Sequence, residues 1–214
     1  METAIAISPN DSLVYRFIKR AFDIIASLLA LIIFSPIFLL TAIAIKIEDP
    51  KGTVFYSNQL VGKDGKKFPI HKFRSMYQNA AEINVSAHAQ KGSAGITFKL
   101  ANDPRVTKVG KFIRRACIDE LPQLINILCG EMSFVGPRPL PPYADAQLSE
   151  YDRNRYLVKG GLLCFWQISD RSKISFEEWM VMDIRYVNEA SVWTDFKILL
   201  ATVPAVFMTI WKNY

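Results

Sequence analysis

Hydrophobic positions are concentrated unevenly along the 214-residue chain. A polar and weakly apolar start, residues 1–14, predicts a flexible N-terminus. Residues 24–45 then run for 22 positions without a charge. As one helix this run would be about 33 Å long at 1.5 Å per residue, enough to cross a bilayer's hydrocarbon. Pro36 lies near its middle, where proline removes a helix hydrogen bond and clashes with the preceding turn, and Ser35 before it is biased away from α conformation. Cations flank both ends: Arg16, Lys19 and Arg20 before, Lys46, Lys51 and Lys63 after. Two arrangements fit this pattern. One is a kinked spanning helix, since membranes tolerate helix proline. The other is a helix–break–helix over 15–48 that enters and leaves by one leaflet, which keeps both basic flanks on one side.

The remaining chain, 49–214, reads as one globular domain with few strands. Short apolar and aromatic runs at 54–56 and 67–73 flank the turn signal Lys63-Asp64-Gly65 and predict a hairpin. Helices are expected at 75–83, 109–118, 122–128 (closed by Gly130), 149–158 and 176–188, with a small, polar loop at 86–94. Residues 195–211 are apolar but too short to span before Lys212, and Pro204 interrupts them, so an interfacial amphipathic helix fits better. The fold class expected is mainly α with a small β-hairpin, α+β.

Composition narrows the function classes. A net charge of +6 and a pI near 9.2 suit anionic membrane surfaces, nucleotides or nucleic acid. Cys117, Cys129 and Cys164 have no CxxC spacing, which argues against a disulfide framework or structural zinc and for a reducing compartment. His71 and His88 are too far apart in sequence to suggest a histidine metal site.

The candidate chemistry centres on Asp119-Glu120, followed by Pro122, a residue at home in a first helical turn. Such a position favours ionised carboxylates, as a nucleophile or a Mg²⁺ ligand must be. An isolated Asp-Glu pair more often does no more than cap a helix. Here the neighbours are cationic: Arg114 and Arg115 precede the pair, and Arg138 stands between Pro137 and Pro139, supplying guanidinium forks for phosphate oxygens. Lys72 and Arg74 flank Phe73 at the end of the expected hairpin and could screen a diphosphate. Trp166, Gln167 and Arg171 offer an aromatic plane, an amide and a cation to a uridine or sugar, although on pattern alone core packing is the better reading of Trp166.

Taken in order, several strings resemble the bacterial sugar transferase family, the monotopic polyprenyl-phosphate phosphoglycosyl transferases. They are Lys19-Arg20-Ala21-Phe22-Asp23, Ser35-Pro36, Lys72-Phe73-Arg74-Ser75-Met76, Asn102-Asp103-Pro104-Arg105-Val106-Thr107, Val109-Gly110-Lys111-Phe112-Ile113-Arg114, Asp119-Glu120-Leu121-Pro122-Gln123-Leu124, the stretch from Ser133 to Pro139, Trp166-Gln167 and Asp195-Phe196-Lys197-Ile198-Leu199. The resemblance covers roughly residues 15–202. It implies transfer of a sugar-1-phosphate from a UDP-sugar to undecaprenyl phosphate with release of UMP, at the start of membrane-bound glycan synthesis. It implies Mg²⁺ as cofactor, Asp119 as the nucleophile that carries a phosphosugar intermediate, and Glu120 as metal ligand. It implies a re-entrant helix broken at Ser35 and Pro36, and a catalytic domain on the cytoplasmic face of the bacterial inner membrane. Lys72, Arg74, Arg114, Arg138, Gln167 and Arg171 are the expected phosphate- and substrate-binding residues. The partners implied are the donor, the lipid acceptor and inner-membrane lipid, with a homodimer as an option and no nucleic acid. The chain departs from the family's usual Pro-Gly-(Ile/Leu)-Thr-Gly-Leu-Trp-Gln at Gly160, Leu163 and Cys164, and Asp170 stands where glycine is common. These departures put the sugar's identity in doubt. A catalytically idle membrane-bound scaffold of a glycan assembly complex is the alternative, and the intact Asp119, Glu120 and Arg138 argue against it.

Overall fold

A computed structural model describes residues 7–80, 103–169 and 174–211, with side chains as far as residue 205. Ser12 opens α1 (Leu13–Ile33) by accepting a hydrogen bond from the Tyr15 N–H, the N-cap use of a hydroxyl. The helix ends at Phe34, and the axis turns by 58° into α2 (Ser35–Glu48). Pro36 does not kink a single helix. It lies in the first turn of α2, where its missing N–H leaves no bond unmade, and the Ser35 hydroxyl donates back to Ile32 O at 2.8 Å. The break predicted from Ser35-Pro36 thus falls at its N-terminal edge. No single helix among the described residues is long and apolar enough to cross a membrane; the bent pair meets that test only as a pair.

The arm is amphipathic in an uncommon sense. Leu13, Phe17, Ile25, Leu29, Ile32 and Ile33 of α1 and Leu39, Leu40 and Ile47 of α2 are exposed, whereas Tyr15, Asp23 and Ser27 are buried. The inward face is therefore the polar one. Lys19 donates to Val135 O at 2.9 Å, to Tyr186 Oη at 3.1 Å and to Asp195 Oδ2 at 2.7 Å. Arg20 donates to Ile127 O and Leu128 O, each at 2.8 Å. Asp23 accepts from Ser133 Oγ and Phe134 N, both at 3.0 Å. Lys19 and Arg20, read above as flanking membrane charges, are turned into the protein instead.

The hairpin is present: β1 (Phe55–Val61) pairs antiparallel with β2 (Lys67–Phe73), with Leu60 opposite Phe68 and Phe55 opposite Phe73. A 3₁₀ turn, Lys63–Gly65, joins them, and Asp64 takes the left-handed conformation at φ 57°. After β2 the expected helix does not form over 75–80; residues 81–83 lie outside the described chain. Ser75 O accepts from Thr107 N and Tyr77 N donates to Arg105 O, so this stretch ladders against 105–107 rather than coiling.

Next come α3 (Lys108–Arg115), a 3₁₀ turn at Ile118–Glu120 and α4 (Gln123–Cys129), which Gly130 closes at φ 86°. Sequence periodicity missed a second sheet, a parallel pair of three-residue strands, β3 (Ser133–Val135) and β4 (Gly161–Leu163). Between them lie α5 (Pro142–Asp145) and a 3₁₀ segment, Asp152–Leu157, where an α-helix was expected over 149–158. The short α6 (Phe165–Ile168) precedes α7 (Phe176–Glu189), whose N-terminus carries a Ser175/Glu178 capping box. The last helix, α8 (Val192–Trp211), continues through Pro204 rather than stopping there. Its inner residue Ile198 is buried, while Trp193, Phe196, Leu200 and Val203 face outward. The expected loop at 86–94 lies outside the described residues.

Candidate active site

Three local devices bring the charged side chains together. Strand alternation buries Phe73 against Ile45 and Ile113 and leaves Lys72 on the opposite face of β2. Asn126, fully buried on α4, latches that strand: it accepts from His71 N at 3.0 Å and donates to Pro69 O at 2.8 Å and Glu131 Oε2 at 2.6 Å. Helix α3 is capped twice, by Thr107 Oγ1 on Gly110 N and by Glu48 of α2, whose two carboxylate oxygens accept from Lys108 N at 2.7 Å and Val109 N at 2.8 Å. Cys117, left-handed at φ 56°, then reverses the chain so that Asp119 and Glu120 face β2.

Arg138 reaches the same place from the other side. It follows β3, where Gly136 and Gly161 meet: a Cβ on Gly161 would lie 2.1 Å from Gly136 N, so a side chain there would push the strands apart. Its carbonyl accepts from Arg155 Nη2 at 2.5 Å, and Arg155 pairs with Asp183 at 2.6 Å, both side chains almost wholly buried. Arg155 went unnoticed in the sequence because Asp152-Arg153-Asn154-Arg155 has the composition of a solvated face.

The result is two adjacent carboxylates whose pKa values are pushed in opposite directions. Glu120 is held on two sides: Arg138 forks onto both its oxygens and Lys72 Nζ lies 3.3 Å from Oε1. Burial alone would raise its pKa, but the Arg138 and Lys72 charges override this and hold it well below the usual carboxylate range. Among the described residues, Asp119 has no hydrogen-bond or ion-pair partner. Burial, and then the Glu120 charge, push its pKa up to about 6, against the downward pull of Lys72, Arg114 and Arg138. At Asp119 desolvation and a like charge thus outweigh the helix end and raise the pKa, although at neutral pH the carboxyl is still mainly ionised. Arg114 also donates from Nε to Ser75 Oγ at 2.7 Å.

Asp119, Glu120, Lys72, Arg114 and Arg138 thus converge on one place. Arg74 does not. Its guanidinium is buried, ion-paired with Asp49, and donates to Asp49 O and Thr53 O, tying the end of α2 to β2; a phosphate would have to break that cluster to reach it. Gln167, on α6, accepts from Cys164 Sγ at 3.5 Å, and the charge of Arg138 acts on that thiol. Burial pushes the Cys164 pKa up to about 12, so it is a neutral packing group here rather than a nucleophile. Trp166 stacks on Trp179 with centroids 4.5 Å apart, the core role open to it on pattern. Arg171 and Asp170 lie outside the described residues.

A Mg²⁺ site would have to be built from few protein groups, since no cluster of three or more His, Cys, Asp or Glu occurs among the described residues. The carboxylates fit that need: Mg²⁺ keeps water and substrate phosphates and takes one or two protein carboxylates. Among the described residues Asp119 has no partner, and the Oε2 atom of Glu120 has only a 3.4 Å contact with Arg138.

The structure thus joins a bent helical arm, a small α+β domain and a carboxylate pair set among cations. Over residues 14–209 the chain matches the family described as bacterial sugar transferase, and it belongs to that family. It is 41% identical over 198 residues to the undecaprenyl-phosphate galactose phosphotransferase of Salmonella typhimurium, covering 89% of this chain and 40% of that protein. It is 40% identical over 201 residues to the exopolysaccharide production protein ExoY of Rhizobium meliloti, covering 89% of this chain and 86% of that one. A third relative, from Aeromonas hydrophila, is the UDP-N-acetylgalactosamine-undecaprenyl-phosphate N-acetylgalactosaminephosphotransferase, 36% identical over 206 residues, covering 90% of this chain and 44% of that protein. The chain thus spans about two-fifths of the Salmonella relative and most of ExoY.

Proposed function

We propose that this protein transfers a sugar-1-phosphate from a UDP-sugar to undecaprenyl phosphate, releasing UMP and so starting a membrane-bound polysaccharide. The observation that carries the reading is the division of labour between Asp119 and Glu120. A nucleophilic carboxylate needs free lone pairs and enough basicity to attack, and Asp119 has both. Donor and acceptor of this chemistry appear in the names of the Salmonella and Aeromonas relatives.

In the proposed sequence an Asp119 oxygen attacks the β-phosphorus of the donor. The bond from that phosphorus to the bridging oxygen breaks, and UMP leaves with the electron pair. A phosphate oxygen of undecaprenyl phosphate then attacks the acyl phosphate, and the Asp119 carboxylate is expelled. Lys72, Arg114 and Arg138 lower the repulsion between an anionic nucleophile and an anionic diphosphate. Glu120 would hold Mg²⁺ together with donor phosphate oxygens and water, and the ion would supply Lewis-acid charge stabilisation to the phosphoryl oxygens. Gln167 and Arg171 remain proposed contacts to the nucleotide or sugar.

We further read α1–α2 as a re-entrant arm at the cytoplasmic face of the inner membrane. Both of its ends are tied to the same domain: Ser8 N to Asn188 and Tyr15 to Asp195 at one end, Glu48 to α3 at the other. A helix pair with both ends on one globule cannot place them on opposite sides of a bilayer. The exposed apolar residues of the arm supply the lipid-facing surface.

The test is UMP release from a panel of UDP-sugars in the presence of undecaprenyl phosphate and Mg²⁺. One donor should release UMP in an acceptor- and metal-dependent way. Release from none of them, by a correctly folded protein, would favour the idle scaffold.

A further inference from the structure

A second cationic cluster lies at the opposite end of α4 from the carboxylate pair. Its seven residues put the two ends about 10 Å apart at 1.5 Å per residue. Arg20 comes from α1, Lys159 from the residues entering β4, and Lys63 from the hairpin turn. Arg20 and Lys159 meet over Gly130, where a Cβ would lie 3.3 Å from both Arg20 Nη2 and Lys159 Nζ, and the charge of Lys63 also acts on Lys159. Arg20 is partly satisfied by the last carbonyls of α4, Ile127 and Leu128. Lys159 is not; among the described residues no acceptor lies within hydrogen-bonding or ion-pair distance of its ammonium. Burial and then the charge of Arg20 lower its pKa, with Lys63 and Lys19 adding to the effect. Asp23 attracts it, but that carboxylate already accepts from Ser133 and Phe134.

Half-buried cations brought together without a shared anion raise the energy of the fold, and an anion between them reverses the sign of that interaction. Arg20 and Lys159 lie so close over Gly130 that even a Cβ there would crowd both, so an anion would reach the two cations from their outer side. The same helix that supplies Arg20 exposes Phe17, Ile18, Phe22 and Ile25, so an apolar tail attached to the anion would have a surface to lie on.

We propose that Arg20, Lys159 and Lys63 form a second anion site that takes the phosphate headgroup of a membrane lipid, separate from Asp119 and Glu120. The lipid is either the undecaprenyl phosphate acceptor, held before it moves to Asp119, or a bilayer phospholipid that fixes the arm at the surface.

The test measures binding by the full chain in detergent, without turnover, so it stands or falls separately from the chemistry assigned to Asp119. Thermal shift is followed on titration with undecaprenyl phosphate, with phosphatidylglycerol and with inorganic phosphate. The wild type should be stabilised by at least one of the two lipids at concentrations where inorganic phosphate has no effect. Lys159→Gln should bind that lipid roughly tenfold more weakly, the loss expected for one charged hydrogen bond. Lys159→Arg should restore binding, and Lys111→Gln, exposed on α3, should match the wild type. A response to undecaprenyl phosphate alone identifies the acceptor; a response to phosphatidylglycerol identifies a phospholipid site. Equal shifts in wild type and Lys159→Gln, or an equal shift with inorganic phosphate, would overturn the proposal.

Discussion

Asp119 ionises near pH 6 because it is buried beside the permanently charged Glu120. Attack on phosphorus needs its charged form. The donor's kcat/KM, which reports the free enzyme, should therefore fall about tenfold per pH unit below about 6. An acid limb near pH 4 would mean that Asp119 has an ordinary carboxylate pKa. Stability has the opposite sign. The folded-state pKa lies above the unfolded value of 3.8, so the folded state binds more protons between about pH 4 and 6 and loses stability as pH rises through that window. Asp119→Asn removes the cost of ionisation, so it should raise Tm at pH 8 and leave it almost unchanged at pH 4. Thermal unfolding of both proteins at the two pH values checks this; the gain cannot exceed about 3 kcal/mol, the free energy of a two-unit shift. Arg138 acts through geometry as well as charge. Its fork spans both Glu120 oxygens, which a lysine ammonium cannot copy. Arg138→Lys should cost about 10- to 100-fold in initial rate, the worth of one charged hydrogen bond. A lysine variant with wild-type turnover would reduce Arg138 to a turn residue.

At the scale of elements, the latch by Asn126 is the joint on which the site depends. Asn126→Leu would leave the partly buried His71 N–H and Pro69 C=O without their partner and should cost about 2 kcal/mol, or roughly 4–8 °C in Tm, and most of the activity with it. An unchanged Tm would show that the strand needs no latch. The sequence made the hairpin, α3, α4 and α7 legible because each carries its own periodicity and its own cap or turn residue. It did not reveal β3 and β4, because three-residue strands are too short to alternate and their pairing depends on two glycines meeting across 25 residues of chain. Of the candidate site, Asp119, Glu120 and Arg138 could be read from local strings. Arg74 misled because a guanidinium beside a strand looks the same whether it meets a phosphate or, as here, Asp49. Arg155 could not be read at all, since only the tertiary fold shows that it is buried and holds the Arg138 carbonyl.

The whole molecule is an apolar-faced arm whose polar side is sewn to the domain that bears the carboxylates. Lys19, Arg20 and Asp23 on one side and Glu48 on the other fix the site's distance from whatever surface the arm lies on. The arm's two ends should therefore share one side of the membrane. In spheroplasts treated with an impermeant thiol reagent, Asp11→Cys and Asp64→Cys should both stay unlabelled until the cells are lysed; labelling of the first alone would mean that the arm spans. Such a design suits a reaction with one soluble and one lipid-bound substrate, because a carboxylate fixed at the boundary can serve each in turn. That claim, a covalent phosphosugar on Asp119, is tested most directly by incubating the protein with an active UDP-sugar, labelled in the sugar, without any acceptor. The account predicts up to one equivalent of label on the protein and an equal amount of UMP, with neither in Asp119→Asn. An unlabelled wild-type protein that releases UMP only when undecaprenyl phosphate is added would contradict it and favour direct transfer between the two substrates.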